Sequence, residues 1–274
     1  MDADLDAIAS AVLDDPANVE PLPLLFLLHY YRATDRADVG DALGRALAAA
    51  HARHRSDRST RGRAAWLTLF VDAAALSDDE RLLDAASALV DELAAEWPRS
   101  GAIDETAASI DACLRAAVAI DAQAMAPRAI DELERVIGAA YRPGGGIAHT
   151  TDAAARVPGT AADHVAAAAA LLTAHDVSGR LPYSMLAEEL MQGAPTDAAR
   201  PFDVDCGAAR VLCRLAALHD DPDYRQAAVV TPDADYRRDA ERILRRWADG
   251  VADRGAGAAI YGLALIELGN RVIE

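Results

Sequence analysis

Apolar residues recur at helical spacing along almost the whole chain, and alternating β-branched runs are nearly absent. The pattern predicts helices throughout. Six segments are more apolar than the rest: Leu22–Tyr31, Ala64–Leu76, Ile103–Ile120, Ala161–His175, Cys206–Leu218 and Ala256–Leu268. Each is followed by a polar turn and then by a more charged, more amphipathic helix. The turns fall at Asp35, Asp78, Asp121, Asp176, Asp220 and near Asn270, at intervals of 43, 43, 55, 44 and 50 residues. The interval of 55 holds a glycine-rich insertion, Tyr141–Gly159, and the interval of 50 holds a loop, Val229–Asp235. A hairpin of two helices of about 15 residues with its connections accounts for the period.

An open α-solenoid and a closed ring of hairpins share this period. The chain ends discriminate. A helix over Asp2–Asp14 precedes the first apolar helix and has no partner before it. The apolar helix Ala256–Leu268 has no charged helix after it, and it is apolar nearly all round, which calls for burial on both sides. Pairing the two completes a sixth hairpin, whereas a solenoid needs polar caps. The expected fold is an all-α (α/α)6 toroid of about twelve helices, a single domain over residues 1–274 with its terminal helices pairing to close the ring.

Composition sharpens this. Alanine fills 66 of the 274 positions. Small side chains let inner helices crowd around an axis. The net charge is −17, all 27 basic residues are arginine, and aromatics make up 5%. A broad basic face for nucleic acid is excluded, and 52% hydrophobic residues exclude intrinsic disorder. Three cysteines build no disulfide scaffold and read as small buried hydrophobes. No secretory signal or membrane-length apolar run is found, so a cytoplasmic protein without membrane partners is expected. A lysine-free acidic chain fits a halophilic, acidic proteome and equally fits a GC-rich genome.

In such a ring the inner-to-outer turns lie at one end and the outer-to-inner connections at the other. Here the second set is longer and richer in Gly, Pro and charge. A cavity at the N-termini of the inner helices is therefore expected, with the helix dipoles favouring anionic or hydroxyl-rich ligands.

The segments Gly144-Gly145-Gly146-Ile147-Ala148-His149-Thr150, Pro158–Val165, Leu171–His175, Arg200–Ala209 and Leu215–Arg225 resemble the six-hairpin toroids. Among these they are similar to the YyaL-type, or spermatogenesis-associated protein 20, family, and more distantly to N-acylglucosamine 2-epimerases. The resemblance covers roughly Tyr141–Arg246; no Cys-x-x-Cys marks that family's thioredoxin-like domain. It implies a carbohydrate-active toroid, a sugar epimerase or a glycoside hydrolase-like enzyme. Glycoside cleavage needs two carboxylates across the sugar, offered by Glu105, Asp163 and Asp205, with Asp104 and Asp203 nearby. Toroid epimerases move protons through histidine, which points to His149 and His164. Tyr141, Arg142 and Asp203 are candidate substrate-binding groups. Each carboxylate equally suits a helix cap; His149 equally packs its loop, and Tyr141 and Arg142 equally form a helix end. No metal site or cofactor is called for, because no ligand spacing is diagnostic and the glycine triplet lacks a P-loop lysine. His51 and His54, amid arginines, read as a solvated face. The expected partner is a small sugar-like ligand. The alternative is a non-catalytic scaffold on an eroded toroid, with a protein partner or a second copy of the chain.

Overall fold

The structure is a computed structural model. It describes residues 2–14, 20–77, 79–97, 101–120, 122, 124–152, 157–195, 200–229 and 231–269. The turn positions Asp78, Asp121 and Asn270 lie outside the described residues. Thirteen α-helices are found among them: α1 (Asp2–Leu13), α2 (Pro21–Thr34), α3 (Ala37–Arg53), α4 (Thr60–Ala74), α5 (Glu80–Ala94), α6 (Ile103–Ala119), α7 (Met125–Ala140), α8 (Ala161–Ser178), α9 (Leu181–Gln192), α10 (Phe202–Asp220), α11 (Pro222–Ala227), α12 (Tyr236–Arg245) and α13 (Ala259–Gly269).

The six apolar helices α2, α4, α6, α8, α10 and α13 pack each against the next, and α13 packs back on α2. The inner ring is therefore closed. Helix α1 packs against both α2 and α13, so the two ends of the described chain meet and form the sixth hairpin. Outer helices α3, α5, α7, α9 and α12 carry the amphipathic pattern that a one-sided contact requires. Their buried residues sit at helical spacing, as in α7 with Ala129, Leu133, Val136, Ile137 and Ala140. Inner helices are buried almost all round; α8 buries Ala167, Ala168, Ala170, Leu171 and Leu172 in succession.

Turns stop the helices where the sequence allows it. Asp35 adopts left-handed backbone (φ 52°) after α2, and Gly179 (φ 68°) does so after α8. The last inner helix begins later than its apolar run indicates. Residues 252–258 form 3-10 turns, because Gly255 takes φ 54° and ψ −133° and breaks the helix there. His54 departs from the solvated face expected of it. It is buried, stands edge-on to Phe70 with ring centroids 5.1 Å apart, and burial lowers its pKa. The three cysteines are free and buried, and burial pushes each thiol up to about 12.

Ring closure depends on one close approach. A Cβ at Gly262 of α13 would lie 2.4 Å from Cε2 of Phe26 on α2. Gly262→Ala is expected to destabilise by about 1–3 kcal/mol through overpacking. Urea unfolding checks this, and an unchanged midpoint would mean that the α2–α13 seam yields without cost.

Candidate active site

A cavity of about 390 Å³ runs along the axis and is lined by all six inner helices. Its wall follows helical arithmetic. In α6 the lining residues are Asp104, Ala108, Asp111 and Arg115, spaced four, three and four apart. The first turns contribute Leu22, Arg61, Asp104, Ala162 and Asp203. The next turns give an apolar waist that includes Leu25, Ala64, Val165, Gly207 and Ile260. Deeper still the wall becomes charged, with His29, Asp72, Asp111, Arg115, Arg210, Arg214 and Glu267.

These deep charges are arranged in pairs. His29 Nε2 lies 2.9 Å from Asp72 Oδ2, joining α2 to α4. Arg115 Nε donates to Asp111 Oδ2 at 3.0 Å, and the Thr173 hydroxyl donates to Asp111 Oδ1. Arg214 donates to the Ala169 carbonyl (3.1 Å), the Thr173 hydroxyl (3.0 Å) and Asp176 (2.8 Å). Arg210 places Nε and Nη2 on one oxygen of Glu267 at 2.8 and 2.7 Å. The other oxygen of Glu267, Oε2, is enclosed and has no hydrogen-bond partner among the described residues. Burial pushes the Asp111 carboxyl up, but the guanidiniums of Arg115 and Arg214 and the Thr173 hydroxyl together hold it below the usual carboxylate range. Asp111 is therefore a fixed anion.

Of the nine residues named from the sequence, Asp104 and Asp203 are found among the residues that line this cavity. Asp163 is fully buried at the start of α8. It forms a capping box with Thr160, accepting from the Thr160 backbone N–H at 2.7 Å and its hydroxyl at 2.8 Å. It also accepts from the Asp104 backbone N–H (3.1 Å) and from His149 Nδ1 (2.9 Å). His149 donates to Asp163, and its backbone carbonyl accepts from the Ile103 N–H at 2.9 Å. The reason lies in α6. Its N-cap is Ala102, which has no capping side chain, so the glycine-rich segment supplies the caps for the exposed N–H groups. That segment carries a short antiparallel hairpin, Tyr141–Arg142 with Gly146–Ile147, turned at Pro143-Gly144 with Gly144 at φ 70°.

His164 is buried. Its Nδ1 donates to the Thr160 carbonyl at 3.0 Å, and its Nε2 is enclosed without a partner among the described residues. His149 and His164 thus each serve the start of α8, and neither lines the cavity. Asp205 is fully buried between Arg200 (2.9 Å), Arg246 (3.3 Å) and the Trp247 indole N–H (2.8 Å). Glu105 is exposed and outside the cavity wall. The Tyr141 hydroxyl donates to Glu189 on outer helix α9 at 2.5 Å, which pushes its pKa up to about 12. Arg142 donates to the Tyr141 carbonyl at 2.6 Å. Both belong to the α9 side of the segment.

Asp104, His149 and Asp163 bring three ligand-type atoms within 4.8 Å of one another. The contacts above already engage both oxygens of Asp163, so the cluster reads as a hydrogen-bonded joint. Its chemistry gives a pH prediction. The Asp163 hydrogen bond and charge raise the His149 pKa above its ordinary 6.5. The stability this pair contributes is full below the unfolded pKa and is lost as pH rises through the folded value. The urea midpoint of the wild type is expected to fall across that window relative to His149→Gln, and parallel pH profiles would contradict the pairing.

The deep charges lie inside the apolar inner helices, away from the loops. A signal was available: an isolated charge inside an apolar inner helix, such as Asp72, Asp111 or Glu267, has nowhere to point except the axis.

No protein-family model and no curated sequence matches the chain. Solved structures do match it in shape. The GH76A α-1,6-mannanase of Salegentibacter sp. HEL1_6 superposes with a TM-score of 0.69 at 12% identity, covering 95% of this chain and 97% of the mannanase. Its fold is that of the six-hairpin glycosidase-like toroids. An unsaturated glucuronyl hydrolase specific for heparin gives a TM-score of 0.68 at 11% identity over 92% of this chain and 86% of its own. A sugar epimerase from a ruminal bacterium gives 0.65 at 11% identity over 92% and 87%. Inactive variants of the mannanase hold α-1,6-mannotriose and α-1,6-mannotetrose. Among the described residues, no helix is long and apolar enough to cross a membrane.

Proposed function

We propose that this toroid is a carbohydrate-active enzyme of the sugar epimerase or isomerase kind, acting by proton transfer inside the central cavity. The observation that carries the reading is the His29–Asp72 pair on the cavity wall. With Nε2 donating to Asp72, the His29 ring presents Nδ1 as its accepting nitrogen, and Asp72 fixes the orientation of the ring. Imidazole is the side-chain group suited to taking and returning a proton in such a site. Asp111, held ionised, orients substrate hydroxyls by accepting their hydrogen bonds. Asp203, with Asp104 and Arg61, forms the polar rim through which a sugar enters. His149, Asp163 and His164 hold that rim by fixing the starts of α6 and α8, and Asp205 fixes α10.

A volume of about 390 Å³ suits a mono- or disaccharide. It also counts against the scaffold reading, which a cavity filled by side chains would have favoured. The glycine-rich segment and the start of α8 support kinship with the YyaL-type proteins in particular. A hydrolase is the second reading, because Asp111 and Glu267 both stand in the cavity wall as a pair of carboxylates.

Thermal melting against a panel of mono- and disaccharides tests binding, and incubation of the ligands found in D2O tests the chemistry. A stabilising sugar that acquires deuterium at carbon is the expected result. A ligand cleaved without deuterium uptake would favour hydrolysis, and a panel with no stabilising saccharide would end the carbohydrate reading.

A further inference from the structure

The geometry points to an acidic saccharide, one bearing a carboxylate, as the ligand of the central cavity, with Arg115 as the residue that reads the acid. The inference rests on the cavity being the sugar site.

Arg115 spends only Nε on the protein, donating to Asp111. Among the described residues, its Nη1 and Nη2 have no hydrogen-bond partner, and its side chain keeps 34% of its surface while lining the cavity. The other lining arginines are committed. Arg214 uses both terminal nitrogens, Arg210 grips Glu267 through Nε and Nη2, and Arg61 pairs with Asp104 at the rim. Arg115 therefore presents a free planar fork, the shape that takes a carboxylate through two parallel N–H···O bonds.

At this depth three guanidiniums (Arg115, Arg210 and Arg214) meet three carboxylates (Asp72, Asp111 and Glu267), and those carboxylates hold the Arg115 guanidinium charged. Arg115 and Arg214 share Asp111, while the other acidic partner of Arg214, Asp176, is 58% exposed and screened by solvent. Burial first, and the neighbouring Arg115 charge second, lower the pKa of Arg214. An anion seated on the free Arg115 fork would sit between these two guanidiniums. A single negative charge fits better than a phosphate dianion, because Asp72, Asp111 and Glu267 stand in the same wall.

The test is calorimetric titration of the wild-type chain with glucuronate, galacturonate and mannuronate, each beside its neutral hexose and its methyl ester. At least one uronate is expected to bind about ten-fold or more tightly than its hexose and its ester, the scale of a hydrogen bond to a charged group. Arg115→Gln should erase the difference between the uronate and its neutral counterparts. Arg115→Lys, which keeps the charge and loses the fork, should fall between. The ester comparison needs no variant, so the answer survives a variant that fails to fold. Equal affinity for acid, ester and hexose overturns the acidic substrate and leaves the sugar site standing. Acid preference that persists in Arg115→Gln also overturns it. Binding of none of these ligands overturns both readings.

Discussion

Asp163→Ala should lower the unfolding free energy by about 3–5 kcal/mol, the largest stability loss expected from a single polar substitution in this chain. The carboxylate is fully buried and collects four donors: the backbone N–H and hydroxyl of Thr160, the backbone N–H of Asp104, and His149 Nδ1. Alanine removes the acceptor of two backbone N–H groups, those of Thr160 and Asp104, at roughly 1–3 kcal/mol each. It also breaks the joint between α6, α8 and the glycine-rich segment. Asp163→Asn keeps one acceptor oxygen and should cost less than half as much. Urea unfolding of the two variants measures both. A loss under about 1 kcal/mol for alanine would mean that the segment finds other caps, and the stability role assigned to this residue would fall. Glu105→Ala, at an exposed position in the first turn of α6, is the control expected to change nothing measurable.

The second large effect is on turnover. His29→Ala should reduce kcat by about 10²–10⁴-fold, the range for removing a general acid–base group. That corresponds to roughly 3–5 kcal/mol of barrier. Stability should hold, because the ring lies on the cavity wall with 28% of its side-chain surface accessible. Asp72→Asn should cost less, because the proton carrier stays in place and loses only the carboxylate that orients its ring. A His29→Ala variant that turns over at the wild-type rate would remove His29 from the role of proton carrier.

The two predictions touch two kinds of residue. Asp163, His149, His164 and Asp205 stand beside loops at the starts of inner helices, where function concentrates on most scaffolds. Here they are engaged in caps, hydrogen bonds and ion pairs and lie outside the cavity wall. Ala102 leaves α6 without a capping side chain, and Asp163 and the His149 carbonyl fill the need from a segment more than forty residues on. Nothing in the local pattern announces a cap supplied at such distance. In so acidic a chain, a carboxylate at a helix start is also the expected residue whatever its role. Asp111 and Arg115 were legible in principle, as charges at one helical spacing inside an apolar helix. They were read as part of an apolar segment because an average over the segment hides them.

The ring was legible in the residues alone. Hydrophobic period sets helix faces, the 43-residue repeat sets the hairpin, and a last helix that is apolar nearly all round calls for burial on both sides, which its packing on α2 and α10 supplies. These are local or one-dimensional properties, and packing has only to agree with them. Which charges meet was decided by tertiary structure alone. His29 and Asp72 lie 43 residues apart, Arg210 and Glu267 lie 57 apart, and Asp111 meets Thr173 across 62. Each pair forms because ring closure brings equal depths of different helices to one axis, and in that low-dielectric interior a charge is held only where a partner is met.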